Sequence, residues 1–96
     1  MEFIKLIQEW NTLIENLNEK LFGSFDELKL RVSYILSGEK ESFRDWKGSN
    51  KIAMFINYLR DNNPKKLKDL GQVFVAMGHL EAKRIIRESS FNELFF

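Results

Sequence analysis

The sequence predicts an all-α fold, a compact antiparallel bundle of five or six short helices. Three observations predict it. Apolar residues recur at steps of three and four along most of the chain, the spacing that lines one helix face. Gly23, Gly38, Gly48, Pro64 and Gly78 cut the pattern at intervals of helical length. Strand-like alternation is nowhere sustained.

The elements follow in order. Phe3, Leu6, Ile7, Trp10, Leu13, Ile14, Leu17 and Leu21 form one apolar stripe, and Gly23 is placed to stop that helix in the left-handed conformation. Ser24 and Glu27 then stand three apart before Leu28, Val32, Ile35 and Leu36, which is the spacing of a capping box. Asp26 and Glu27 suit the positive end of that second helix, and Phe25 is expected to lean on the core. Gly38 stops it. Phe43 and Trp46 predict one short helical turn closed by Gly48.

Ser49 is the expected N-cap of the next helix, whose stripe is Ile52, Phe55, Ile56 and Leu59. Pro64 forbids its continuation and suits the first position of the following helix. That helix presents Leu67, Leu70, Phe74 and Met77, with Val73 on the flank. Gly71 inside it costs about 1 kcal/mol relative to Ala, and a close approach of another backbone would explain it. After Gly78, a last full helix is expected to bury Leu80, Ile85 and Ile86. Residues 1–89 form the predicted bundle and residues 90–96 an apolar C-terminal tail. Trp10, Leu13, Leu28, Ile35, Phe55, Leu59, Leu70, Phe74 and Ile85 are the predicted core.

The tail repeats an earlier phrase. Ser-Phe-Asp-Glu-Leu at 24–28 returns as Ser-Phe-Asn-Glu-Leu at 90–94. A helix begun at Ser90 has only six residues after it, far fewer than the roughly 12 an isolated helix needs. Phe91, Leu94, Phe95 and Phe96 therefore either fold back beside the first helix or dock into a partner or second copy.

Composition narrows the chemistry. Ninety-six residues, 44% apolar and 30% charged, describe one ordinary globular domain. No cysteine is present, which excludes disulfides, thiolate catalysis and cysteine zinc sites. No apolar run approaches the ~20 residues of a membrane span, and the N-terminus lacks a signal-peptide pattern, so a cytoplasmic protein is expected. His79, the single histidine, opens a helix and reads as a terminal, partly exposed residue. No calcium-loop spacing, phosphate-cradling glycine pattern or nucleophile elbow occurs. The chain is read as a non-enzyme with no cofactor, metal or small-molecule ligand.

Charge is unevenly placed. Residues 1–48 carry a net −2 and residues 49–96 a net +3. Lys65, Lys66 and Lys68 open one helix, and Lys83, Arg84 and Arg87 lie on the next. Glu39, Glu41 and Asp45 surround the Phe43–Trp46 segment, and Glu9, Glu15 and Glu19 lie on the first helix. Opposed charges of this kind fix orientation and on-rate in association. The expected partner-binding residues are these two basic groups, Glu39, Glu41 and Asp45, and Phe91, Phe95 and Phe96. DNA binding is a weaker reading: the basic groups are interrupted by Asp69 and Glu81, and no Asn or Gln is placed to read bases.

The stretch from Asn50 to Ile86 resembles the second half of a death-fold domain of the CARD or death-domain kind. Residues 22–38, "FGSFDELKLRVSYILSG", are similar to the entry of bacterial effector-associated, death-like domains. The resemblance covers about residues 3–88. It implies a six-helix interaction domain, an adaptor that recruits or assembles with a like domain in a bacterial defence or signalling assembly. A small phage- or plasmid-type inhibitor of a larger partner is the alternative.

Overall fold

The computed structural model describes residues 2–35 and 48–96, with side chains from residue 3 to 32 and from 48 onward. Every regular element among them is helical. We number these α1 (Glu2–Leu21), α2 (Phe25–Ile35), α3 (Lys51–Asn62), α4 (Lys66–Ala76), α5 (Leu80–Arg87) and α6 (Asn92–Phe95), with a single 3₁₀ turn, Phe22–Ser24, joining α1 to α2. The expected turn at Phe43–Trp46, the stop at Gly38, the acidic residues Glu39, Glu41 and Asp45, and the Ile35 side chain lie outside the described residues.

One core holds the elements together. It takes Trp10, Leu13, Ile14, Leu17 and Leu21 from α1, Leu28 and Val32 from α2, and Ile52, Phe55, Ile56 and Leu59 from α3. Leu67, Leu70, Val73 and Phe74 come from α4, Ala82 and Ile86 from α5, and Phe95 from α6. Most of these follow the predicted stripes, because a face repeating every 3.6 residues can be buried only against other such faces. No charged or polar side chain is buried among the described residues.

The chain departs from its local signals at several points. The first two turns of α1 are uncovered: Phe3 is 73% exposed, and Ile4, Leu6 and Ile7 are exposed too. Both α3 and α5 run antiparallel to α1, and past the end of α5 the chain turns away at Ser90, beside Glu9. Ile85 is half-buried, and Leu80, expected inside, is 77% exposed. Ala82 and Ile86, four apart, are the residues α5 turns inward. Gly23 is not left-handed; among the described residues Gly48 (φ +91°) and Gly78 (φ +67°) are.

The expected capping box is also absent. Ser24 ends a helical turn, flanked by Leu21 and Phe25 in helical conformation, so the backbone never opens as an N-cap requires. Glu27 instead pairs with Arg31 one turn on, Oε1 to Nε 3.1 Å. Ser49 does not cap α3. That work is done from a distance by Asn18, whose Oδ1 accepts from the Ala53 N–H (2.9 Å) while its Nδ2 donates to the Ser49 carbonyl (2.6 Å). Trp10 Nε1–H donates to Asn57 Oδ1 at 2.8 Å, a second bolt between α1 and α3.

Residues 90–96 pack as part of the bundle. Phe91 meets the Trp10 ring edge-on at 5.2 Å and Phe95 stacks on it at 6.2 Å. Gly71 is the close approach its sequence position suggested, since a Cβ there would collide with the Phe95 carbonyl. Ser90 does not cap α6. Its N–H and hydroxyl donate to the Glu9 carboxylate at 2.7 and 3.0 Å.

Candidate protein-docking face

Helix α5 is fixed at both ends before it presents anything. At its start His79 is the N-cap, and its Nδ1 accepts from the Ala82 N–H at 3.1 Å. That role leaves the proton on Nε2, which donates to the Lys20 carbonyl at the end of α1, 3.2 Å away. Just beyond its last turn, Glu9 holds Ser90. Ala82 and Ile86 face the core between these ties.

The opposite side of α5 carries Leu80, Lys83, Arg84 and Arg87. They stand at i, i+3, i+4 and i+7, so they share one face. With Glu88 they line a shallow groove of about 310 Å³. Leu80 gives it an apolar end. Arg87 is exposed, and Lys83 is half-buried, covering surface with its stem.

Arg84 is engaged within its own helix. Its Nη2 donates to Glu81 Oε2 at 2.9 Å and its Nη1 to Glu88 Oε2 at 3.2 Å. The hydrogen bond and charge of Arg84 hold the Glu81 carboxyl below its ordinary range, and the same pairing raises the guanidinium. All three side chains are more than half exposed, so water competes at every contact and a partner carboxylate can replace either glutamate.

The other expected binding residues are distributed differently. Lys65 and Lys68 are exposed and Lys66 half-exposed at the start of α4, and none lines the α5 groove. Glu15 and Glu19 are exposed on α1, whereas Glu9 is taken by Ser90. Phe95 has no accessible surface and cannot touch a partner while the tail is seated; Phe91 and Phe96 are half-buried against the core. A larger groove, about 390 Å³, runs between α1 and α5, floored by Leu13 and Ile85 and rimmed by Glu9, Lys20, Arg84 and Glu88.

On this face, Leu80 is the residue expected inside that the structure turns outward. The signal was present: it lies in register with Lys83, Arg84 and Arg87, about 200° around the helix from Ala82, as 3.6 residues per turn require. Among the described residues no group of three or more His, Asp or Glu side chains is placed to hold a metal ion. None of their helices is long and apolar enough to cross a membrane. Comparison with models of known protein families, with curated proteins and with solved structures finds no match for this chain.

Proposed function

We propose that this is a non-enzymatic protein–protein interaction domain, cytoplasmic, that recruits a protein partner through the outward face of α5. The observation that carries the reading is the composition of that face. A 77% exposed leucine shares it with Lys83, Arg84 and Arg87. Burying a leucine is worth roughly 1.5–3 kcal/mol, and cations beside it select an acidic rim around the covering surface. An amphipathic helix with an apolar anchor and carboxylates one turn away matches this pattern.

The glutamates on the same helix favour a protein over a nucleic acid. Glu81 and Glu88 flank Arg84 and would face a polyphosphate with like charge. The resemblance of residues 3–88 to death-like domains supports an adaptor role in a bacterial defence or signalling assembly. The inhibitor of a larger partner uses the same face and differs in what the partner does once bound.

The test is a charge reversal read against a cross-link. A photo-reactive residue replacing Leu80 in the cells of origin should yield a discrete protein adduct. The same residue replacing Glu15, on α1, should not yield that adduct. Reversing Lys83, Arg84 and Arg87 to Glu should abolish the adduct at physiological salt, with helicity and Tm nearly unchanged. Retention of the adduct by the triple reversal would overturn the assignment.

A further inference from the structure

We propose that the cleft beside Trp10 and Gly71 is an acceptor site for the segment 90–96, and that the tail of a second copy of this chain fills it in exchange for the protein's own. The inference does not rest on the α5 face. The seated tail itself defines what the cleft recognises. Glu9 takes the N–H and hydroxyl of Ser90. Trp10 takes the edge of Phe91 and the face of Phe95. Gly71, by lacking a side chain, admits the carbonyl of Phe95. The recognised pattern is thus a serine followed by aromatic rings one and five residues on.

The anchors are good and the backbone between them is poor. Helix α6 has four residues, its N-cap Phe91 makes no side-chain capping bond, and Glu93 and Leu94 are exposed. Asn92 Oδ1 is buried without a hydrogen-bond partner, the one such side-chain atom among the described residues. Segments of this kind open locally before the rest of a domain does. Every anchor contact runs from the tail to α1 or α4, so the tail of another copy reproduces all of them, and exchange of identical elements is a low-cost route to dimers. Only Glu88 and Ser89 lie between the end of α5 and the first anchor, so exchange brings the two copies together at that hinge, and a short hinge favours exchange between copies. The chain's own tail competes at an effective concentration on the order of millimolar. The dilute protein is therefore a closed monomer, and exchange sets in once the cis tail is disabled or the protein is concentrated.

Two full-length variants separate donor from acceptor. Gly71→Ala closes the cleft and leaves the tail's rings intact. Phe95→Ala leaves the cleft open and removes the buried anchor. Each alone should sediment as a monomer, and the equimolar mixture as a 1:1 heterodimer in which the Trp10 indole N–H resonance of the Phe95→Ala chain shifts. A mixture that stays monomeric at millimolar concentration overturns the proposal. Where Phe95→Ala lacks helicity, a synthetic peptide of residues 89–96 should restore it or raise the Tm. No response to the peptide also overturns the proposal. Peptide binding without a heterodimer overturns the second-copy assignment. Because the α5 face is untouched in both variants, failure here leaves the adduct at position 80 in place.

Discussion

Ser-Phe-Asp-Glu-Leu at 24–28 and Ser-Phe-Asn-Glu-Leu at 90–94 differ by one atom group, yet the fold uses them for different work. In the first, Phe25 leans on the core from outside with the Lys51 ammonium 3.5 Å over its ring, and Leu28 is the buried residue. In the second, Phe91 meets the edge of Trp10, Phe95 is fully buried, and Leu94 points to water. The first serine ends a 3₁₀ turn; the second is held by a glutamate from the other end of the sequence. Identical local signals therefore acquire opposite inward faces. What decides is which neighbour offers a vacancy: beside 90–94, Gly71 and Trp10 leave room for a ring four residues after the first.

The largest expected effect tests that division. Phe95→Ala empties a site with no accessible surface and should destabilise the protein by about 3–5 kcal/mol. Phe25→Ala loses a half-exposed ring and its cation–π contact, about 1–2 kcal/mol. Urea unfolding with a common m-value measures both. Equal losses would erase the distinction between the two copies.

How far the fold is legible in the sequence follows the same line. The stripes of α3 and α4, and that of α1 from Trp10 onward, point to their true inward residues, because burial of a helical face is a local property of spacing. Gly78 and Gly48 take the left-handed conformation that a glycine at a helix boundary suggests, while Gly23 does not. The failures are residues whose fate depends on a neighbour distant in sequence. The uncovered Phe3 and Ile7 reflect where α5 ends, and the exposed Leu80 reflects which side of α5 rests on α1. The basic residues of the candidate face were legible by type. Their grouping with Leu80, and the separation of Lys65, Lys66 and Lys68 from them, required the packing.

Caps sharpen the comparison further. Asn18→Ala should cost about 1–2 kcal/mol, because it strips a cap from the α3 N-terminus and a donor from Ser49. Ser24→Ala, in the position that reads as a cap, should stay within about 0.5 kcal/mol of the parent. A loss at Ser24 as large as at Asn18 would restore the local capping box. The two glutamates should part in the same direction. Glu9→Ala should cost about 1 kcal/mol and deprotect the Ser90 amide in hydrogen exchange. Glu27→Ala, which breaks only a pair with Arg31 one turn away, should cost no more than about 0.5 kcal/mol.

The smallest effect concerns a third helix start, where an acidic residue does obey its own helix. Glu81 stands in the first turn of α5 behind the His79 cap, and its partner Arg84 is three residues on. The hydrogen bond to Arg84 comes first among the causes that lower its pKa from 4.5, ahead of the charge of Arg84 and the lesser one of Lys20. A folded pKa below the unfolded one means that charged Glu81 favours the native state above the ordinary carboxylate range. That contribution fades as pH falls through the folded value. The carboxyl is open to solvent, so the consequence for stability is slight and the titration itself is the measurement. The side-chain carbon resonance of Glu81 should titrate with a midpoint below 4.5, and Arg84→Ala should move it upward. The movement should be incomplete, since Lys20 remains. A midpoint that ignores Arg84→Ala would mean the helix dipole and the distant end of α1 set this carboxyl too. Glu81 would then join Ser90 among the residues whose behaviour is decided across the fold.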